Sequence, residues 1–291
     1  MLSLRFSLAS SNITLTNWNK YKYSCTEFSK VPATTTASLN SDNNAALPEG
    51  LKRELMPKHV AVIMDGHRRW ARQEGLTVDQ GHLAGQQKME FLIRLCSKWG
   101  VKVLSLFAFS TENWTRPKEE VDVLMKLFLE FASSQEQLDE WTRNGIRMSF
   151  IGDKSILFKP LRKALTLVEE KTKSNSGLHV MMAINYSGRH DILQATKSIA
   201  SKVKNEFLDV KDIDQSLFGQ ELETHCAEFP EPDLLIRTSG ELRVSNFMLW
   251  QLAYTELYFA NKLFPDMEEA DFVEALISFQ PRQRRYGGKE I

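Results

Sequence analysis

The chain has 291 residues, 42% of them hydrophobic, enough for one α/β domain with a large buried core, so no second domain is needed. Its 37 basic and 37 acidic side chains cancel, which excludes a nucleic-acid binder working through general charge and leaves local clusters as the places to look. Cys25, Cys96 and Cys226 are too few and too scattered for a disulfide framework or a zinc site and read as reduced thiols, and no apolar run approaches the ~20 residues needed to span a bilayer.

Residues 1–45 are rich in Ser, Thr, Asn and Ala, with Glu27 the only acid before Asp42. That is transit-peptide chemistry, expected to direct the chain to the plastid stroma, although a plain disordered tail has the same composition. The folded domain is expected over residues 51–291. Its first element is the apolar run 60–64, which lacks alternation, as in a strand of a parallel sheet covered on both faces. The run delivers Asp65, and Gly66 then permits a tight turn into an arginine-rich helix. The free N–H groups of that helix can receive phosphate oxygens, with Arg68 and Arg69 adding charge-assisted bonds. Asp65 would repel phosphate unless a divalent cation lay between them, and magnesium, bound through one or two carboxylates plus phosphate oxygens, suits that place. Read alone, the stretch is equally an ordinary strand-to-helix junction with an N-capping Asp and solvated arginines.

Further strand-like runs follow at 101–109, 146–152, 178–185 and 233–238, alternating with amphipathic helical stretches, which predicts a mainly parallel, doubly covered sheet. Polar clusters follow them at 110–116, 185–189 and 237–246. In an open parallel sheet the carboxyl ends of all strands share one edge, so these clusters are expected to converge with Asp65.

Arg68, Arg69, Arg116, Arg237 and Arg243 are more cation than one phosphate requires, and two diphosphates would use them all. No GxxxxGK[ST] loop or GxGxxG fingerprint is present, so a nucleotide is not the expected phosphate carrier. A helix expected over 118–132 carries Val121, Val123, Leu124, Leu127, Phe128 and Phe131. That stripe reads as ordinary core or, beside a diphosphate site, as the lining of a slot for a hydrocarbon tail. Glu256 is the candidate second metal carboxylate. His59 and His82 read more readily as caps or packed side chains than as ligands.

Taken together these residues resemble the cis-prenyltransferases, relatives of undecaprenyl diphosphate synthase. The match runs from residue 56 to 288 and includes the DGxxRW box at 65–70, FSTENWTRP at 109–117 and DLLIRTSGELRVSNFMLWQLAYTELYF at 233–259. The resemblance implies a single α/β domain, a mainly parallel six-stranded sheet flanked by helices with an apolar tunnel, and a homodimer. It implies that Asp65 positions magnesium on diphosphate and that Gly66, Arg69, His82 and Arg116 hold the allylic donor. Arg237, Arg243 and Ser245 would hold the acceptor, Ser110, Asn113 and Trp114 would shape the reacting centre, and Glu256 would reach the metal. Arg68, Trp70 and Phe109 belong to the same boxes and are counted with the substrate-binding set. Arg285 and Gly287, in the closing Arg-Tyr-Gly, would reach into the partner subunit's active site. The substrates are then small isoprenyl diphosphates, with neither a nucleic acid nor a membrane span involved. The absence of any DDxxD run counts against the all-helical trans-type enzymes.

Two positions depart from the family pattern. Val78 stands where long-chain bacterial enzymes carry an arginine, and His67 stands where Asn is usual. His67 places a titratable group beside the metal and both diphosphates, and this favours irregular head-to-middle coupling of two dimethylallyl diphosphates to lavandulyl diphosphate. As a neutral polar substitute for Asn it would instead leave regular head-to-tail coupling to neryl or longer cis products. A non-catalytic partner subunit would lack the metal Asp or the terminal Arg-x-Gly, and both are kept. A phosphatase or nucleotide-binding enzyme would need a nucleophile or phosphate loop that the sequence does not show.

Overall fold

A computed structural model describes residues 47–283. The transit peptide expected over 1–45, Arg285 and Gly287 lie outside these residues. In chain order the elements are β1 (His59–Ile63), α1 (His67–Gln73), α2 (Val78–Trp99), β2 (Val103–Ser110), α3 (Lys118–Ser133) and α4 (Gln135–Arg143). There follow β3 (Arg147–Ile151), α5 (Lys159–Thr172), β4 (His179–Tyr186), α6 (Gly188–Lys204), α7 (Gln215–Gln220), β5 (Leu234–Arg237), β6 (Glu256–Phe259) and α8 (Glu269–Phe279).

The six strands form one sheet in the order β3-β4-β2-β1-β5-β6, with every neighbouring pair parallel. All five residues of β1 and all eight of β4 are buried, as strands covered by helices on both faces must be. Alternate residues feed two cores. Val60 and Val62 join Leu104, Leu106, Ile236 and the apolar faces of α2, α3, α5 and α8, while Ala61 and Ile63 join Met181, Leu235, Phe247 and Met248 on the other side. The five expected strands are present within a residue or two, and β6, short and at the sheet edge, is the sixth that the family resemblance implied.

Three local features shape the site edge. Thr77 and Gln80 close a capping box that starts α2, and Gly100, at φ 82°, ends it in a left-handed cap. The register between β2 and β4 slips at Phe107 and Phe109, and a bulge of this kind lets consecutive residues, Phe107 and Ala108, both line the same cavity. The helix expected over 118–132 is present as α3 and stops at Ser133. Ser134 adopts an extended conformation and its hydroxyl accepts from the Gln137 N–H at 3.3 Å, starting α4 as a separate helix. Among the described residues no helix is long and apolar enough to cross a membrane.

The sheet also buries two histidines at its amino end. Nε2 of His59 lies 2.7 Å from the Ser105 hydroxyl, and His179 Nε2 lies 2.8 Å from that of Ser149. Burial first of all lowers the His59 pKa to about 3 and that of His179 to about 4 from the usual 6.5. Each stays neutral in the fold but takes up a proton when unfolded below pH 6.5. Their stability contribution is therefore complete above about pH 6.5 and lost as pH falls through about 4. The melting temperature is expected to drop steeply across that window. His59→Gln should flatten the slope, and an unchanged slope in that variant would show that His59 does not drive the acid sensitivity.

Candidate active site

Asp65 and Arg237 meet because the register of the central strands makes them meet. Ile63 pairs with Arg237 across β1 and β5, so Asp65, two residues further on, lies beside the Arg237 guanidinium. The Arg237 Nη2 donates to Asp65 Oδ2 at 2.9 Å. Thr238, fully buried, clamps the backbone at the same point: its hydroxyl accepts from the Asp65 N–H at 2.9 Å and donates to the Asp65 carbonyl at 2.7 Å. Gly66 follows at φ 113°, and a Cβ there would come within 3.0 Å of the Leu263 Cα, so both conformation and space require glycine.

These residues open on a cavity of about 270 Å³ along the carboxyl edge of the sheet. Asp65, His67, His82, Ser110, Asn113, Arg116, Arg237 and Ser245 form its polar end. Met89, Phe107, Ala108, Leu124, Leu127, Phe128 and Phe131 form the rest, so part of the apolar stripe of α3 is cavity lining while Val121, buried, is core. From Leu124 to Phe131 the helix carries this lining over roughly 10 Å at 1.5 Å per residue.

The cations fall into two sets, each tied down by a carboxylate. Glu120, only 7% exposed, takes the guanidinium groups of Arg116 at 3.1 Å and Arg68 at 3.7 Å, and His82 Nε2 lies 3.4 Å from the same carboxylate as a neutral hydrogen-bond partner. Glu241 takes Arg69 at 3.4 Å and also pairs with Arg243. Arg237, 4% exposed, donates through Nη1 to the Ser245 hydroxyl at 2.6 Å and to the Arg243 carbonyl. Burial pushes the Asp65 carboxyl up, but bonds from Arg237 and Ser239 and the charges of Arg237 and Arg69 outweigh it and hold it below the ordinary carboxylate range. Asp65 therefore stays ionised. Arg237 engages Oδ2, while Arg69 stands 3.9 Å from Oδ1.

His67 is packed, not free. Its ring stacks on His82 at 5.3 Å, tilts against Phe264 at 5.7 Å and lies against Gly85, where an added Cβ would come within 2.1 Å of its Cδ2 and Nε2. Gly81 takes the His67 carbonyl in the same way, so the GHLAG sequence lets α1 settle on α2. Burial, then the charges of His82 and Arg116, lower the His67 pKa to about 3 despite the opposing pull of Asp65; burial with Arg116 and Arg68 lowers that of His82 to about 4. Both imidazoles are neutral near pH 7.

Several expected site residues have other positions. Trp70 donates through Nε1 to Asp266 at 2.6 Å and anchors α1 to the turn before α8, away from the cavity. Phe109 is buried beneath Trp114 and Phe128, with ring centres at 5.1 and 6.4 Å, and supports the site from the core. Trp114, 37% exposed, donates to Asn185 Oδ1 at 2.8 Å on the rim. Glu256 corrects the expected ligand set within one chain. It pairs in register with Leu234 at the amino end of β6, bonds Arg282 at 2.8 Å, and so sits five residues short of Asp65 along the strands, roughly 17 Å away. Glu120, Glu241 and Thr238 were missed. Glu120 left one signal, a charge inside an apolar stripe four residues from Arg116.

Among the described residues no three His, Cys, Asp or Glu side chains cluster as a metal cage. A lone carboxylate facing two cation sets fits a magnesium bound mostly through substrate phosphates.

The cavity is an apolar slot whose polar end carries one lining carboxylate, Asp65, beside two anchored cation sets. Residues 63–287 match the prenyltransferase family model for undecaprenyl diphosphate synthase. The chain is 69% identical over 294 residues to cis-prenyltransferase 7, chloroplastic, of Solanum lycopersicum, covering 100% of both, and 57% identical to a chloroplastic (2Z,6Z)-farnesyl diphosphate synthase of the same species, over 81% of this chain and 80% of that one. Lavandulyl diphosphate synthase from Lavandula x intermedia, solved with dimethylallyl diphosphate, superposes with a TM-score of 0.78 at 44% identity, over 80% of this chain and 99% of that one. The chain belongs to the cis-prenyltransferases and has their fold.

The packing of His67 is directly testable. Gly85→Ala should drive its ring from its seat and cost about 1–3 kcal/mol of stability. The double variant His67→Ala/Gly85→Ala should recover most of that loss relative to His67→Ala alone, and additive losses in thermal melts would refute the contact.

Proposed function

We propose that this chain is a magnesium-dependent, short-chain cis-prenyltransferase of the plastid that acts as a homodimer, joining five-carbon diphosphates head to tail. The observation that carries the reading is the single carboxylate between two separately anchored cation sets. His82 and Arg116, held by Glu120, would receive the diphosphate of the allylic donor. Arg237, Arg243 and Ser245 would receive that of isopentenyl diphosphate. A magnesium held by Asp65 would supply Lewis-acid stabilisation of the departing diphosphate. The protein's own part is to place the guanidinium groups where negative charge grows on the leaving diphosphate, and to keep water from the allylic cation with the walls of α3 and β2.

The cavity volume, just under the ~300–1,000 Å³ usual for ligand sites, supports a short product. Head-to-tail coupling takes precedence over the irregular reaction because the ring of His67 is turned against Gly85 and His82, which leaves it the spacer role of Asn. The resemblance to lavandulyl diphosphate synthase favours the second reading, head-to-middle coupling of two dimethylallyl diphosphates. The names of the Solanum relatives support plastid location.

Purified protein given dimethylallyl and isopentenyl diphosphates with magnesium should yield a linear cis product after dephosphorylation. A branched ten-carbon alcohol from dimethylallyl diphosphate alone would instead establish the irregular reaction. Asp65→Ala should keep the fold at a lowered melting temperature, because Arg237 loses a partner, and should lower turnover by on the order of a thousandfold, because the metal's carboxylate is gone. Retention of more than about a tenth of wild-type turnover at saturating magnesium would remove Asp65 from the mechanism.

A further inference from the structure

The loop that carries Arg243 and Ser245 has no regular structure to hold it. Four of its non-glycine residues have positive φ, Ser239 at 77°, Ser245 at 45°, Asn246 at 60° and Met248 at 45°. Backbone of this kind persists only where surrounding contacts over-determine it. Asn246 supplies three such contacts. Its carbonyl accepts from the Gly188 N–H at 2.6 Å, its Oδ1 accepts from the Arg189 N–H at 3.0 Å, and its Nδ2 donates to Glu112 Oε1 at 2.7 Å. Gly188 makes the approach possible, since a Cβ there would come within 2.7 Å of the Leu249 nitrogen.

The third contact crosses the site. Glu112 lies in the short turn Thr111–Thr115, between Ser110 and Asn113, whose side chains bond each other's backbone, and Arg116 ends that turn. Burial pushes the Glu112 carboxyl up, but the Asn246 amide and bonds from Thr111 and Ser110 hold it below its ordinary range, so it accepts as an anion. The bond to Asn246 thus joins the loop bearing Arg243 and Ser245 to the turn bearing Ser110, Asn113 and Arg116. Only Asn combines an amide donor, an amide acceptor and ready access to the left-handed conformation.

We propose that Asn246 is a positioning residue: through Glu112 it fixes the spacing between the two diphosphate-binding sets, and so sets affinity for the acceptor. The inference rests on the proposed function for the identity of that acceptor. Losing the bond lets Ser245 and Arg243 drift from the donor side without unfolding the core.

Four forms of the full chain test this: Asn246→Asp, which turns the amide donor into a second carboxylate facing Glu112; Glu112→Gln; the double variant, in which the Gln amide donates to the Asp; and Asn246→Gly, which keeps the positive φ and adds no charge. Binding of isopentenyl diphosphate with magnesium is measured by calorimetry, and KM and kcat where turnover occurs. Asn246→Asp and Asn246→Gly should each weaken acceptor binding and raise its KM by about tenfold, with kcat and the KM for the allylic donor within about threefold of wild type. Glu112→Gln and the double variant should bind within about threefold of wild type. Unchanged binding in the Asn246 variants, or no recovery in the double variant, overturns the proposal. Equal loss of donor and acceptor affinity together with a large fall in melting temperature also overturns it, assigning Asn246 to loop stability alone. Wild-type protein that binds both diphosphates without joining them would overturn the proposed reaction while the binding comparison still decides the role of Asn246. Wild-type protein that binds neither would overturn both.

Discussion

The contact between Arg237 and Asp65 is the constraint on which the site depends. Both groups come from the middle of the sheet, and each is fixed by strand register rather than by a flexible tether. Arg237 is buried, where a guanidinium without a partner is costly, and burial alone would push the Asp65 carboxyl toward its neutral form. The pair offsets the cost of burying the guanidinium and keeps Asp65 ionised. Because Arg237 also reaches Ser245 and the Arg243 carbonyl, the same guanidinium ties the position of the Asp65 carboxylate to the loop that carries Arg243 and Ser245.

Around that pair the charges are balanced before any substrate arrives. Glu120 and Glu241 neutralise arginines that would otherwise repel one another across a small cavity, and the neighbouring histidines remain neutral. The guanidinium groups are thereby already oriented, which is how a site stabilises developing charge without reorganising during a reaction. His67 belongs to this neutral frame: it fills the gap left by Gly85 and keeps α1 seated on α2.

Much of this was legible in the sequence because it follows from chain-local rules. Apolar runs without alternation marked the buried strands, and the shared carboxyl edge of a parallel sheet predicted that Asp65, the 110–116 cluster and Arg237 would meet. What escaped depends on side-chain direction. Trp70 lies one residue from Arg69 in sequence, yet a helix turns successive residues by about 100°, which sends its indole to Asp266 while Arg69 reaches toward Asp65. Within one chain Glu256 lies at the amino end of β6: a strand has two ends, and nothing in its local sequence says which one carries the carboxylate. Glu120 was overlooked because a stripe read as apolar hides a charge that the fold surrounds with cations.

The same distinction separates reaction class from product. The chemistry of ionising a diphosphate is written in charged residues at strand ends, and those positions tolerate few alternatives because register fixes their geometry to within a fraction of a residue spacing. The depth of the slot is set by the apolar wall that runs down α3 from Leu124 to Phe131, where Phe131 packs on Trp141 at 5.1 Å across the break at Ser134. That break makes α4 a separate helix, so the depth of the slot depends on how two helices pack rather than on any single motif. Hydrophobic residues of similar volume exchange there at little cost to stability. Close relatives can therefore keep every charged residue of the site and still differ in the tail that the slot admits.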